Sequence, residues 1–252
     1  MSHKKIVIAN WKMNPLTQKE AEKLFGDITK NLSALRKTEV VVCSPSIYLS
    51  SLKKLSRKVS LGAQDAFWGD VGAFTGETST EMLYELGARY VILGHSERSG
   101  VEDRLIVNKK LKSALASGLI PILCVGEYSR DEEHSYFNFV KEMLETSLNS
   151  ISKNFIGKII IAYEPVWAIS STPNRRDATA EDSHEMAIFI RKVLADKFGK
   201  ESAKVKILYG GSVKAANAAT LLGLADVDGA LVGGASLRAD EFWGIVMACP
   251  GS

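Results

Sequence analysis

Short apolar runs alternate with longer amphipathic segments along the whole chain. The apolar runs cover 5–11, 39–43, 59–64, 90–94, 120–125, 159–163, 205–209 and 228–233. Each is brief and rich in branched aliphatics, as expected of a strand covered on both faces. Lys- and Glu-rich amphipathic stretches follow them near 17–31, 46–56, 78–87, 103–117, 131–152, 180–198, 214–222 and 239–247, and these predict helices. Eight alternating units without a linker imply parallel strands joined by right-handed crossovers. An open doubly wound sheet usually carries a glycine-rich turn after its first strand. Here that strand runs into Asn10-Trp11-Lys12-Met13-Asn14-Pro15, which has no glycine. Polar residues after strands one, four and six also suit a ring converging on one mouth better than a linear crevice. The expectation is an α/β fold, a closed (β/α)8 barrel forming a single catalytic domain over residues 1–252.

Length and composition agree with that picture and exclude others. A chain of 252 residues matches the roughly 250 that such a barrel commonly uses. A formal charge of +3, with Lys and Arg scattered, argues against nucleic acid or an anionic membrane as partner. No apolar run approaches the ~20 residues needed to cross a bilayer. The start, Met-Ser-His-Lys-Lys, lacks the shape of a signal peptide, so a cytoplasmic location is expected. Cys43, Cys124 and Cys249 form no CxxC pair and sit in apolar settings, which makes them small buried hydrophobes in a reducing compartment. No Cys/His/Asp cluster has metal-ligand spacing, so no metal is expected.

The candidate chemistry lies where apolar runs end. Tyr90-Val-Ile-Leu-Gly-His95-Ser-Glu97-Arg98 passes from a buried strand into an imidazole, a carboxylate and a guanidinium. Parallel α/β folds build their active sites at such C-terminal strand ends. Glu164 interrupts another apolar ending and is followed by Pro165. A carboxylate shielded by apolar neighbours suits a general base, and the competing reading is a salt bridge at the barrel rim. His95 reads as an acid/base or hydrogen-bonding catalyst, with a structural histidine as the alternative. Lys12 offers a fixed positive charge able to stabilise an oxyanion, or else is only a solubilising lysine. Gly210-Gly211-Ser212 and Gly233-Gly234-Ala235-Ser236 follow strands seven and eight, where barrels frequently bind phosphate through backbone N–H groups. A base, an imidazole, a cation and a phosphate grip together suggest proton abstraction beside a carbonyl in a small phosphate ester. That chemistry needs no cofactor.

These residues stand in motifs that resemble the triosephosphate isomerase family over essentially the whole chain. The resemblance rests on Asn10-Trp11-Lys12-Met13-Asn14, Gly62-Ala63-Gln64-Asp65, Gly72-Ala73-Phe74-Thr75-Gly76-Glu77, Gly94-His95-Ser96-Glu97-Arg98, Cys124-Val125-Gly126-Glu127, Ala162-Tyr163-Glu164-Pro165-Val166-Trp167, Tyr209-Gly210-Gly211-Ser212 and Val232-Gly233-Gly234-Ala235-Ser236. It implies interconversion of dihydroxyacetone phosphate and D-glyceraldehyde 3-phosphate through an enediolate, in glycolysis and gluconeogenesis, without a cofactor. Glu164 would be the base and His95 a neutral electrophile. Lys12 would bind phosphate and steady charge with help from Asn10, and Glu97 would pair with Lys12. Backbone N–H groups at Ser170, Ser212, Gly233 and Gly234 would hold the phosphate. The resemblance further implies a homodimer built on the projecting loop from Gln64 to Glu77, with Phe74, Thr75 and Gly76 at its tip. Burial against a second subunit would also account for the apolar Trp68 and Phe74 in that loop.

The chain departs from the family pattern in three places. The lid after strand six, Ala168 to Ala178, is longer than usual and lacks both customary glycines, and its Arg175-Arg176 pair reads as a solvated loop tip. The segment after Arg98 is shorter than usual, with Glu102 as candidate for the family glutamate's structural role. Asp65 stands where asparagine is usual. A non-catalytic or substrate-shifted phosphate-binding paralogue is the alternative that the lid leaves open.

Overall fold

Strand β1 (Lys5–Asn10) pairs with β2 (Thr38–Cys43) on one side and with β8 (Gly229–Val232) on the other, which closes the sheet into a ring. The computed structural model describes residues 4–30, 35, 37–55, 58–169, 172 and 176–250. Between those strands come β3 (Ser60–Ala63), β4 (Ala88–Leu93), β5 (Ile120–Val125), β6 (Ile160–Tyr163) and β7 (Lys206–Tyr209), each parallel to its neighbours and in chain order. This is the (β/α)8 barrel expected from the alternation of patterns.

Side chains alternate across the sheet and sort into two apolar layers. Ile6, Ile8, Val41, Cys43, Ile92 and Ile122 belong to the cluster that fills the barrel. Their alternates Val7, Ala9, Val40, Val42, Val91 and Leu93 belong to the larger cluster between sheet and helices. Both faces of every strand are therefore buried, which is why the strands read as continuous apolar runs rather than as alternating ones.

The outer layer consists of α1 (Gln18–Thr29), α2 (Ser46–Leu55), α3 (Thr80–Glu85), α4 (Arg104–Ala116), α5 (Ser135–Ser147), α6 (Lys153–Ile156), α7 (Ala180–Phe198), α8 (Ala215–Leu222) and α9 (Ala239–Met247). Several begin at side-chain caps. Thr17 with Glu20 and Thr179 with Asp182 form capping boxes at α1 and α7, and Asp103 accepts the Ile106 N–H at α4. Each cap is worth about 1 kcal/mol. The helix expected over 131–152 is shorter than its pattern. Asp131 accepts the Ser135 N–H at 2.7 Å, so α5 starts at Ser135, and Leu148 to Ser152 separate it from the one-turn α6. Strand β4 starts at Ala88 rather than 90, since Ala88 pairs with Leu61 of β3.

Three short 3-10 turns matter for function. They follow β4 at Ser96–Arg98, β6 at Val166–Ala168 and β8 at Gly234–Leu237. Each opens just beyond a strand's C-terminal end and so turns backbone N–H groups toward the same mouth. Among the described residues, no helix is long and apolar enough to cross a membrane.

Candidate active site

The mouth gathers side chains that are far apart in sequence. Asn10 ends β1 and is buried, and its Oδ1 accepts the Lys12 N–H at 3.0 Å. Lys12 has φ +52°, a left-handed conformation that costs a residue with a Cβ and is sustained by its surroundings. Gln64 Nε2 supplies part of that support, donating to the Lys12 carbonyl at 2.8 Å and to the Cys43 carbonyl at 3.0 Å. The Lys12 ammonium forms a hydrogen-bonded ion pair with Glu97. Its stem passes over Gly233, where a Cβ would lie 3.4 Å from Lys12 Cε.

His95 caps the turn after β4 and is buried. Its Nδ1 accepts the Glu97 N–H at 3.2 Å, so the hydrogen of a neutral ring belongs on Nε2. Nε2 lies 3.1 Å from Glu164 Oε1. Glu164 follows β6 and is only 2% exposed. Its Oε2 accepts the Ser96 N–H at 3.2 Å, and its own N–H is anchored on the Val125 carbonyl at 2.8 Å. The backbone leaves little slack around it. A Cβ on Gly126 would fall 1.8 Å from the Glu164 carbonyl oxygen, and one on Gly210 would fall 2.8 Å from Glu164 Cγ.

Asn10, Lys12, His95, Glu164, Gly211 and Gly233 line one small cavity of about 20 Å³, closed on another side by Ile169 and Leu231. A larger recess of about 520 Å³ opens beside it, from Asn10 and Lys12 toward Ala66, Phe67 and the Gly76 to Thr78 strip. The two glycine loops expected from sequence thus border the same cavity as the candidate base and imidazole. Ser212 and Gly234 follow the lining residues Gly211 and Gly233 directly, and the Ser212 carbonyl accepts from Asn217 at 3.1 Å. Ser170 lies outside the described residues, as does much of the lengthened lid. Of the rest, Thr172 donates its N–H to the Ile169 carbonyl at 3.0 Å. Arg176 is exposed, as expected of a loop tip, yet its guanidinium stacks 4.4 Å over Trp167.

The projecting loop divides between site and surface. Gln64 belongs to the mouth, whereas Phe74, Thr75 and Gly76 stand exposed at the tip, with Gly76 at φ +93°. Phe74 packs on Phe67 at 4.6 Å between ring centroids and remains 48% exposed. Trp68 is partly covered within the chain by Lys109, whose ammonium sits 5.5 Å over its ring. Met13, at the recess, is 93% exposed.

Sequence reasoning left several supporting residues without a role. Cys124 is fully buried, and burial together with the adjacent Glu164 carboxylate pushes its thiol well above the usual range. Glu127 is buried beneath the segment after β6. Its Oε1 accepts from the Tyr163 hydroxyl at 2.8 Å, Trp167 Nε1 at 2.9 Å and Arg130 Nε at 3.1 Å. Lys110, also buried, joins Asp65 and Glu102 at 2.7 Å each, and Arg98 bonds the same two carboxylates. In that quartet Glu102 braces the turn bearing His95 and Glu97 through its bond to Arg98. An excess of charged residues around 98–110 was the available sign.

The fold is that of a (β/α)8-barrel enzyme, and its candidate reactive groups meet at the C-terminal mouth. The model of the triosephosphate isomerase family matches residues 5–249. The triosephosphate isomerase of a Thermoanaerobacter species is 45% identical over 248 residues, covering 96% of this chain and 98% of its own. That of Alkaliphilus metalliredigens is 43% identical over 249 residues, with the same coverage. Among solved structures, triosephosphate isomerase from Bartonella henselae superposes with a TM-score of 0.86 at 37% identity, covering 97% of this chain and 98% of its own. The chain belongs to the triosephosphate isomerase family.

Proposed function

We infer that this chain interconverts dihydroxyacetone phosphate and D-glyceraldehyde 3-phosphate, a step of glycolysis and gluconeogenesis. The observation that carries the reading is the juxtaposition of His95 Nε2 and Glu164 Oε1 at 3.1 Å on one cavity with Lys12 and Gly233. Glu164 takes a proton from the carbon beside the carbonyl. His95 donates its Nε2 hydrogen to the carbonyl oxygen, and the enediolate so formed is steadied by Lys12 and Asn10. Glu164 returns its proton to the former carbonyl carbon, and His95 passes the hydroxyl proton of the first carbon to the former carbonyl oxygen, which leaves a carbonyl on the first carbon and completes the isomerisation. In the present arrangement the Glu164 carboxylate is bonded to the Ser96 N–H and to His95. Both bonds must open for the two groups to face a substrate.

Phosphate rests, on this reading, on backbone N–H groups at Ser170, Ser212, Gly233 and Gly234, with the Lys12 ammonium beside them. Glu97 holds Lys12 and leaves its N–H for His95. The lid excludes water from the enediolate, which otherwise eliminates phosphate.

The reading includes a cytoplasmic homodimer. Its support is the exposed tip at Phe74, Thr75 and Gly76 and the 93% exposed Met13, apolar surface that a second copy would cover. Sedimentation of the purified protein at micromolar concentration gives a dimer if this holds, and a monomer overturns it.

The activity is tested by steady-state conversion of D-glyceraldehyde 3-phosphate, with Glu164→Ala as control and free phosphate quantified. Rapid turnover lost in the variant, with little phosphate released, supports the reading. Turnover independent of Glu164 overturns it.

A further inference from the structure

Arg104 occupies an awkward place for a cation. It is the first residue of α4, where the helix dipole favours negative charge, and that helix has no acidic residue in its first turn. The side chain nonetheless runs inward. Its Nη1 donates to the Cys124 carbonyl at the end of β5, 2.9 Å away. It lies beneath the residue before His95, since a Cβ on Gly94 would come within 2.7 Å of the same nitrogen, and Gly94 has φ +70°. Arg104 also shares with Glu164, Ser96, Cys124 and Gly126 the walls of a void of about 10 Å³ behind the base.

We propose that Arg104 is a positioning residue for Glu164, a fixed positive charge behind the carboxylate that favours its proton-accepting form and supports the Gly94–His95 turn. This rests on the reading of Glu164 as the base. Charge and packing are both available from a guanidinium, which stays protonated even when half-buried. Burial draws the guanidinium's affinity for its proton below the ordinary arginine value. The Cys124 and Tyr128 side chains and the Glu164 and Glu102 carboxylates work in the opposite direction. Glu102 is already claimed by Lys110 and Arg98, at 2.7 and 3.0 Å. Glu164 is therefore the acidic neighbour of Arg104 on the active-site side without a cation bonded to it in the present arrangement. The other groups facing Glu164 are His95 from the β4 turn, the Cys124 thiol from β5 and, across the cavity, Lys12 from the turn after β1. In the proposed mechanism His95 acts as a neutral imidazole and Cys124 is a thiol, so neither supplies the charge, and Lys12 is bonded to Glu97.

The test uses Arg104→Gln, which keeps a donor for the Cys124 carbonyl and removes the charge, beside Arg104→Lys, which keeps the charge and loses the planar fork. The readout is the pH profile of kcat/KM, whose acid limb reports the base of the free enzyme once the ionisation of the substrate phosphate, titrated on the free substrate, is taken out. In Arg104→Gln the midpoint of that limb is expected to rise by about one pH unit, the size of a charge interaction across a partly screened wall. In Arg104→Lys it stays where it is in the unsubstituted protein, whatever happens to kcat. An unmoved limb in Arg104→Gln overturns the proposal, as does an equal rise in both variants. So does a Gln variant that fails to fold where the Lys variant folds, because the side chain is then a structural part only. Glu164→Ala run alongside separates the two levels: if it retains turnover, the reading of the base fails before that of Arg104.

Discussion

Gln64 Nε2 donates to the Lys12 carbonyl at 2.8 Å, so the first residue of the projecting loop holds the turn that carries the cation of the site. Without that bond, Lys12 loses the side-chain hydrogen bond that holds its carbonyl from the β3 side and can relax away from φ +52°. Gln64→Ala is therefore expected to lower kcat/KM by about 10- to 100-fold, the cost of one or two lost buried hydrogen bonds at 1–3 kcal/mol. Most of the loss should fall on KM, because the ammonium is the group displaced. Steady-state kinetics on the folded variant checks this, and an unchanged KM would show that Lys12 is held by Glu97 alone.

Gly126 is pressed tightly against the backbone of Glu164, the proposed base. A methyl group there would sit 1.8 Å from the Glu164 carbonyl oxygen and 2.5 Å from its carbon. Neither is the free end of a flexible side chain, so β5 and β6 must part. Gly126→Ala should cost roughly 1–3 kcal/mol or more of stability. It should also cost about 100-fold in kcat, since a displacement of the base by an ångström is enough for that. Calorimetric melting and single-turnover assays would read the two effects separately.

Asp65 is bonded to Lys110 through both oxygens, at 2.7 and 2.8 Å, and to Arg98 at 2.8 Å, yet its carboxyl is raised above the usual 3.8. Burial is the largest cause and Glu102 adds to it, while Lys110 and Arg98 pull the other way. A carboxyl raised on folding contributes stability that is present below 3.8 and lost as the pH climbs through the folded value. Asp65→Asn lacks that loss. Its stability relative to the unsubstituted protein should thus improve as pH rises from below 4 toward neutrality. Urea denaturation of both proteins across that range would reveal it, and a difference moving the opposite way would mean the ion pairs outweigh desolvation.

Cys249 behaves in the same sense at alkaline pH. Burial raises its thiol from 9.0 to about 11, partly offset by Lys5. The associated stability is complete below 9.0 and disappears as pH passes through about 11, at roughly 1.4 kcal/mol for each unit between them. Cys249→Ala removes that term, so its alkaline midpoint should lie above that of the parent, as followed by circular dichroism. An identical midpoint would place the alkaline weakness in the other buried thiols, Cys43 and Cys124, both also raised by burial.

Much of this was legible along the chain because a two-faced buried strand is a local pattern. Val7-Ile8-Ala9-Asn10 and Ile161-Ala162-Tyr163-Glu164 each state where a strand stops and a polar side chain takes over at the mouth. Long-range partners have no such local trace. The pairing of Lys12 with Glu97 spans 85 residues, and family resemblance rather than residue pattern pointed to it. Arg104 reads as one more cation on a Lys-rich helix, because its inward course depends on a missing side chain at Gly94. Cys124 reads correctly as a buried small residue, but its closeness to Glu164 follows only from the β5–β6 register, where it pairs with Ala162. The helix over 131–152 was overextended because the Asp131 side chain competes for the Ser135 N–H and delays the first turn.

The pairing of Ile6 to Ala9 with Gly229 to Val232 has a consequence for how the protein is made. β1 is synthesised before β8, so one edge of β1 stays open until β8 arrives. Asn10 and Lys12 meet Gly233 only at that moment, so no nascent fragment possesses the finished pocket. Until β8 is made the barrel exposes an open β edge and lacks its finished pocket, which makes that one short strand decisive for both solubility and activity.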